Sequence, residues 1–203
     1  MAHLVITIGC EYGAKGNMIG RKVAKDLGIK FYDRDTVDKI IKEVGIPKDI
    51  MEKVEEGGTI AGKGAEGDVR GSFSKYADLT QRAIHVQKTI IRKLADRESC
   101  VIIGRCADYA LADYPNVVSV FITADEDVKI RTLMERHKIS ESQAKDVMIK
   151  TDKKRASYYN YYSSKRWGDS KSYDLCMNSS KIGYDGVVKM IQEFAKIKGA
   201  YKK

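Results

Sequence analysis

Short apolar runs alternate along the chain with segments whose apolar residues recur at helical spacing. Five runs are short and apolar enough to be buried strands: residues 4–8, 29–32, 100–103, 117–122 and 175–177. After the first of them, Ile19, Val23 and Leu27 recur every four residues and Gly28 follows as a stop signal, which predicts a helix. The alternation predicts an α/β fold, with helices packed on the faces of a parallel sheet.

Further helices are predicted from spacing and from their starting residues. Helical spacing runs through residues 83–94 and 187–195. A hydroxyl residue followed three positions later by Glu or Gln is the capping-box pattern, which Thr123 and Glu126, and again Ser140 and Gln143, fit. No internal repeat or linker divides the chain, so residues 1–203 are predicted to form one domain.

Composition narrows the class of protein. The 203 residues are 43% apolar and 32% charged, which excludes disordered, collagen-like and disulfide-rich chains. There is no apolar run of the roughly 18 residues that a membrane helix needs, and no signal peptide is evident, so we expect a cytoplasmic protein without a membrane partner. The net charge of +9 favours polyanionic partners, but the lysines are scattered, so nucleic acid is not the expected partner.

The four cysteines are Cys10, Cys100, Cys106 and Cys176, and their spacing contains no C-x-x-C pair. This spacing argues against a structural zinc site. Cys100 and Cys176 lie in apolar runs, and we expect both to be buried thiols of a reducing compartment.

The stretch between the second strand and the long helix departs from the alternation. Residues 57–71 contain six glycines and almost no large apolar side chain, which predicts a mobile loop inside an inserted segment of residues 45–80. GGTIAGKG, at residues 57–64, has the spacing of a phosphate-binding loop. Because no apolar strand precedes it, we interpret it as a linker.

A second match to that spacing, GCEYGAKG at residues 9–16, has the right surroundings. Gly9 comes first, Lys15 takes the lysine position, and Ala14 replaces the second glycine. A strand runs into this turn and a helix runs out of it, so backbone amides and the helix N-terminus can surround a phosphate. Lys15 would then place its charge on the β- and γ-phosphates.

Two residues of this turn depart from the usual pattern. Ala14 adds a methyl group where the backbone approaches the phosphate, and Asn17 replaces the hydroxyl residue that helps to hold Mg²⁺, with its amide oxygen as a weaker ligand. Both departures make nucleotide binding a firmer inference than fast catalysis. The residues of the turn predicted to bind the nucleotide are Gly9, Gly13, Ala14, Lys15, Gly16 and Asn17.

Four stretches give the chain a resemblance to the cytidylate kinase-like family, in the nucleoside-monophosphate kinase branch of the phosphate-loop proteins. They are ITIGCEYGAKGNMIGRKVAKDLGIKFYDRD, VIIGRCADYAL, TDKKRASYYNYYSSKRWGD and YDLCMNSS. The resemblance implies a three-layer α/β/α kinase fold with a five-stranded parallel sheet, a monophosphate-binding insertion at residues 45–80 and a lid at residues 150–168. It also implies ATP and Mg²⁺ as cofactors, and CMP or dCMP as substrate.

The resemblance further implies roles for residues that follow the strands. Arg105, in the Gly-Arg after the third strand, would hold the acceptor phosphate, and Asp108 would contact the acceptor hydroxyls. Ile103 stands where related enzymes carry an acid that serves the metal. Asn178, after the fifth strand, lies where the family places the loop around the nucleotide base.

Asp33 and Asp35 follow the second strand, and their distance from the phosphate-binding turn resembles that in shikimate kinases. This likeness implies that Asp33 orients Mg²⁺ through water, and that both aspartates contact the acceptor. Capping of the next helix is the alternative for each of them.

Asp152 and Arg155 fall where related enzymes carry lid residues, Asp152 toward the substrate and Arg155 in a catalytic set with Lys15 and Arg105. A solvated helix face is the alternative. Five aromatic residues follow between positions 158 and 167. We interpret them as packing of the lid against the body rather than as a surface for stacking bases.

The leading functional hypothesis is phosphoryl transfer from ATP to a nucleoside monophosphate, CMP or dCMP. Two alternatives stay open: a kinase of a small hydroxylated metabolite, and a non-catalytic nucleotide- or RNA-binding module on the same fold. A homodimer is also left open by the sequence.

Overall fold

The computed structural model describes residues 3–45 and 69–199, without the side chains of residues 69–80. Over this part of the chain, five parallel strands form one sheet in the order β2-β3-β1-β4-β5. The strands are β1 (Val5–Cys10), β2 (Lys30–Tyr32), β3 (Cys100–Ile103), β4 (Val117–Thr123) and β5 (Leu175–Asn178). All five predicted strands are therefore confirmed, with ends shifted by one or two residues at most.

Seven α-helices connect and follow the strands within the described residues. They are α1 (Gly16–Leu27), α2 (Arg34–Glu43), α3 (Val69–Arg97), α4 (Ala107–Ala110), α5 (Glu126–His137), α6 (Glu141–Ser163) and α7 (Ser179–Ile197). Helix α3 begins inside the predicted insertion of residues 45–80, so the end of that segment continues into the long helix. The second phosphate-loop match, at residues 57–64, lies outside the described residues.

The core has one half on each face of the sheet, because successive side chains of a strand point to opposite faces. In β3, Cys100 and Ile102 pack with α2, α3 and α6, whereas Val101 and Ile103 pack with α1 and α7. β1 lies between β3 and β4 and is covered on both faces, which explains why residues 5–8 are all buried. The three-layer α/β/α arrangement is confirmed.

The helix ends test the predicted caps. Gly28 ends α1 in the left-handed conformation, at φ 66°, as predicted. Ser140 and Gln143 form the capping box of α6. The prediction for Thr123 is wrong: α5 begins after Asp125, and the Thr123 hydroxyl donates to the Glu11 carboxylate. Thr123 is still part of β4, so its side chain meets the neighbouring loop instead of the helix.

The cysteines are all free thiols, and one prediction about them is wrong. Cys100 is buried in the central part of the sheet, as expected. Cys176 is exposed, because β5 is the edge strand and its alternation turns Met177 to the core and Cys176 outward. None of the helices among the described residues is long and apolar enough to cross a membrane.

Candidate functional site

The loops that follow parallel strands meet at one edge of the sheet, where ligands bind in folds of this type. In this chain that edge carries the loop between β1 and α1, called the phosphate loop below (residues 9–16), together with Asp33 after β2, Arg105 after β3 and Asn178 at the end of β5. The topology therefore brings the predicted site residues to the same side of the molecule.

Steric limits in the phosphate loop require two of its glycines. Gly13 has a φ of 94°, and a Cβ atom there would lie 2.8 Å from the Lys129 carbonyl oxygen. A Cβ atom on Gly16 would lie 2.5 Å from the Cys10 Sγ atom. Ala14 is fully buried, and Lys15 is exposed at the N-cap of α1 with a left-handed φ of 61°. The turn is therefore fixed by close packing of its backbone rather than by side-chain caps.

An ion pair with α5 holds the loop on the side of β4. The Glu11 carboxylate accepts hydrogen bonds from the Thr123 hydroxyl and from Lys129 Nζ, the latter at 2.8 Å. Lys129 is buried and the Glu11 side chain is 25% exposed, so the pair is partly shielded from water. The Glu11 amide also donates to the Ile122 carbonyl at 3.0 Å, which continues the pairing of β1 with β4.

Helix α6 holds the loop from a second direction. The Tyr12 amide donates to Asp152 Oδ1 at 2.7 Å, and Arg155 Nη1 donates to the Cys10 carbonyl at 2.9 Å. The Arg155 guanidinium also lies over the Tyr12 ring, and the Tyr12 hydroxyl lies 2.7 Å from His137 Nε2. The alternative of a solvated helix face is therefore wrong for both α6 residues, which contact the main chain of the phosphate loop.

The start of α1 fits an anionic phosphate group. The first amides of a helix have no acceptor within the helix, and Asn17 and Met18 occupy that position here. The first turn of α1 contains no acidic residue, and Lys15 directly precedes it. Within the loop, the Tyr12 amide is occupied by Asp152 and the Ala14 amide by the Glu11 carbonyl. The amides at the beginning of α1 are therefore the part of the loop best placed to receive an anion.

The two residues predicted to serve Mg²⁺, Asn17 as a ligand and Asp33 through water, both contact a protein cation instead. Arg21 donates from Nε to Asn17 Oδ1 at 3.2 Å and from Nη2 to Asp33 Oδ2 at 2.7 Å. No group of three or more His, Cys, Asp or Glu residues suited to a metal occurs in the described part of the chain. The assignment of Asn17 to the hydroxyl position is also wrong, because the residue directly after Lys15 in this pattern is Gly16. With Arg21 in place, this set of residues does not fit direct ligation of Mg²⁺.

Asp33 is the N-cap of α2. Its Oδ1 atom accepts from the Thr36 amide at 2.9 Å and from the Thr36 hydroxyl at 2.6 Å. Burial opposes ionisation of Asp33, but the Thr36 hydrogen bonds and the Arg21 charge outweigh it and lower its pKa. Asp35 is exposed in the first turn of α2, so the capping alternative is confirmed for Asp33 and wrong for Asp35.

Arg105 lies in an unusual backbone segment. Gly104, Arg105 and Cys106 all have positive φ, at 68°, 59° and 49°, and each non-glycine residue of this kind costs about 1–2 kcal/mol. The Arg105 side chain is 3% exposed and pairs with the Asp38 carboxylate. The backbone carbonyl of Arg105 accepts a hydrogen bond from Gln87 Nε2 at 2.9 Å. This strained turn holds a buried guanidinium next to α2.

Asp38 is a residue of the site that the sequence reasoning missed. A buried arginine needs an anionic partner, and α2 follows the strand that neighbours β3, so a carboxylate on α2 is well placed. Asp38 lies three positions after Asp35, which puts both on one face of a helix. The spacing of the two aspartates could have indicated Asp38, but only with the knowledge that Arg105 is buried.

The remaining predicted residues contact the protein itself. Asp108 Oδ2 accepts from the Tyr159 hydroxyl at 2.7 Å, and burial raises the pKa of Asp108. Asn178 caps α7 through the Ser180 amide, and its Nδ2 atom donates to Asp125 Oδ1 at 2.8 Å.

The aromatic residues after Arg155 mostly pack inward, which confirms the interpretation as packing against the body. Tyr158 and Tyr159 are buried beside α3 and α4. Trp167 meets the Phe121 ring edge-on at 5.1 Å between ring centroids. Tyr161 is the exception among them, with 62% of its surface exposed.

Comparisons with known proteins agree with this geometry. A family model described as the cytidylate kinase-like family matches residues 5–181. The solved structure of an uncharacterized protein from Eubacterium ventriosum ATCC 27560 is 31% identical, with a TM-score of 0.75, over 96% of this chain and 99% of that chain. A search among curated proteins gives no match.

More distant solved structures share the fold. A shikimate kinase from Bacteroides thetaiotaomicron is 18% identical with a TM-score of 0.53, over 95% of this chain and 98% of that chain. A gluconokinase from Sinorhizobium meliloti 1021 is 14% identical with a TM-score of 0.54, over 97% of this chain and 95% of that chain. At these identities the likeness shows the fold alone, which is that of the P-loop kinases.

Proposed function

This chain belongs to the cytidylate kinase-like family, and from that membership and its site we propose that it transfers a phosphoryl group from ATP to a nucleoside monophosphate, with CMP or dCMP as the preferred acceptor. The observation that carries the proposal is the phosphate loop. Gly13 and Gly16 allow its backbone to pack closely, and the loop leads into a helix start whose first amides have no acceptor within the helix, next to an exposed Lys15.

The acceptor would bind beside the phosphate loop, at the end of β3, which is the neighbour of β1. Arg105 lies there in a buried position, and a guanidinium can hold a phosphate through two parallel hydrogen bonds. A monophosphate would have to share Arg105 with Asp38 or replace that carboxylate. Asp33, Asp35 and Asp108 would contribute to the acceptor side, and Asn178 to the side of the nucleotide base.

The transfer needs positioning and positive charge more than covalent chemistry from the protein. ATP supplies the phosphoryl group: an oxygen of the acceptor phosphate forms a bond to the γ-phosphorus, and the bond to the β-phosphate oxygen breaks to release ADP. Lys15 would stabilise the charge on the transferring group, Arg105 would orient the acceptor, and Arg155 would keep the loop in shape through the Cys10 carbonyl. Mg²⁺ would arrive with the nucleotide, because Arg21 occupies the predicted ligands.

Measuring ADP release with a panel of acceptors tests the proposal. The panel contains CMP, dCMP, AMP, shikimate and gluconate, and the variants are Lys15→Ala and, as a matched control, Lys25→Ala at the exposed far end of α1. We expect CMP or dCMP to give the fastest turnover, Lys15→Ala to lose about 100-fold or more, and Lys25→Ala to match the wild type.

Other results would select the alternatives. Turnover with shikimate or gluconate only would identify a kinase of a hydroxylated metabolite. Tight ADP binding without turnover of any acceptor would identify a non-catalytic module. Full activity of Lys15→Ala would refute the role of the phosphate loop.

A further inference from the structure

An acid and a base one turn apart on α6 contact two peptide groups of the phosphate loop. Asp152 accepts from the Tyr12 amide, and Arg155 donates to the Cys10 carbonyl. The charges match the partial charges of the groups that they meet, since an amide N–H attracts an anion and a carbonyl attracts a cation. The helix therefore binds the backbone of the loop rather than its side chains alone.

The Asp152 carboxylate occupies an amide of the kind that a phosphate loop offers to its ligand. Amide groups of such a loop bind anionic oxygens, and the Asp152–Tyr12 distance of 2.7 Å is that of a charge-assisted hydrogen bond. Asp152 also interacts electrostatically with the Cys10 thiol, whose sulfur lies against Gly16 at the start of α1. The carboxylate therefore acts on the loop at both Tyr12 and Cys10.

The charged groups around Asp152 do not give its binding place at the Tyr12 amide an excess of positive charge. Arg155 and Lys129 attract the carboxylate, Glu11 repels it, and burial raises its pKa. A second, more strongly charged anion in the same loop would add repulsion to this partly buried carboxylate. A ligand that shares the loop with Asp152 therefore has different affinities for the states with and without the contact.

We propose that Asp152 is an internal anion that occupies the phosphate loop in the nucleotide-free chain, and that the phosphates of a nucleotide displace it from the Tyr12 amide. Binding of the nucleotide then releases the contact between α6 and the loop, so the predicted lid segment is coupled to occupancy of the site. The inference rests on the proposed function in one respect, namely that the loop binds phosphates.

Calorimetric titration with ADP and with inorganic pyrophosphate, both without added metal, measures this competition. The variants are Asp152→Asn, which keeps the shape but removes the charge, and Asp146→Asn, a control that removes an exposed carboxylate of the same helix. We expect Asp152→Asn to bind both ligands about 5- to 100-fold more tightly, and Asp146→Asn to bind as the wild type does.

A measurement on the wild type covers the case in which the variant does not fold. The amide resonance of Tyr12, followed by ¹H–¹⁵N NMR, reports its hydrogen bond to Asp152. On addition of ADP we expect the Asp152 carboxyl resonance to shift together with that amide, as the contact breaks.

The outcomes separate the inference from the function on which it rests. Weaker or unchanged binding by Asp152→Asn would overturn the inference and make Asp152 a positioning residue of the loop. ADP binding that leaves the Tyr12 and Asp152 resonances unmoved would overturn it as well. Absence of ADP and pyrophosphate binding in every variant would instead refute the proposed function, and the inference with it.

Discussion

Two regions at the same edge of the sheet each contain an aspartate and an arginine, but the two pairs differ in what they contact. On α6, Asp152 and Arg155 contact main-chain groups of the phosphate loop. At the end of β3, Arg105 meets the Asp38 side chain directly, and the backbone around Arg105 is in the left-handed conformation. The first pair supports the shape of a loop, whereas in the second region a carboxylate neutralises a buried charge.

The largest expected effect concerns the buried charge. Asp38→Ala removes the carboxylate from an arginine whose side chain is 3% exposed, and leaving such a charge without this partner costs about 3 kcal/mol. Asp35→Ala, at an exposed position of the same helix, should change the free energy of unfolding by less than about 0.5 kcal/mol. Urea denaturation of both variants measures the difference. Equal stabilities would show that Arg105 does not depend on Asp38.

The second effect concerns the shape of the phosphate loop. Gly13→Ala would put a Cβ atom 2.8 Å from the Lys129 carbonyl oxygen at a φ of 94°, and we expect a loss of about 2–3 kcal/mol. Gly28→Ala is the matched control, because Gly28 also has a positive φ of 66° but has nothing within 4 Å of the added atom. Backbone conformation alone should cost about 1 kcal/mol there.

Thermal and urea unfolding of these two glycine variants separates contact from conformation. A larger loss for Gly28→Ala would contradict the close packing of the loop against α5. The loop would then be held by its side-chain contacts alone.

The sequence was sufficient for the parts of the fold that depend on local pattern. The five strands, the glycine stop at Gly28 and the capping box at Ser140 each depend on residues within a few positions of one another. Thr123 fitted a local pattern equally well, yet its hydroxyl bonds to Glu11, 112 positions away along the chain. Cys176 fitted an apolar run, but the order of the strands puts it on an edge.

The candidate site shows the same division. The phosphate loop was predictable because its glycines, lysine and flanking elements are contiguous in the sequence. The partners of Asp152 and Arg155 were not, since both are main-chain groups that every residue carries. Asp38 was missed because burial of Arg105, which demands a partner, arises only once α2 packs on the sheet.

A smaller effect tests how α2 is held at the second region. Asp33→Ala removes the N-cap contacts to Thr36 and the ion pair with Arg21, and we expect a loss of about 1 kcal/mol. Asp33→Asn keeps a capping oxygen and should lose less than half of that. The free energy of unfolding at neutral pH separates the contribution of the cap from that of the charge. If Asp33 acts only as a cap, Asp33→Asn should be nearly as stable as the wild type. An equal loss in both variants would show that the Arg21 ion pair dominates.

The smallest expected effect concerns Asp108, one turn beyond Arg105, and it depends on pH. Burial raises the pKa of this carboxyl above 3.8, its ordinary value, so the native state holds the proton more tightly than the unfolded chain does. Its contribution to stability is therefore greatest at low pH and is lost as the pH rises through the native pKa. In Asp108→Asn this loss cannot occur, while the amide oxygen can still accept from Tyr159.

The stability of Asp108→Asn relative to the wild type should accordingly rise from pH 4 to pH 7, by less than about 1 kcal/mol. Urea unfolding at several pH values in this window measures it, with Asp113→Asn as the control. Asp113 is exposed and its pKa is lowered from 3.8, first by a backbone hydrogen bond and then by Arg92, so it titrates below this window. Replacing it should leave the difference from the wild type nearly constant from pH 4 to pH 7. An equally constant difference for Asp108→Asn would mean that Asp108 is better solvated than its contact with Tyr159 indicates.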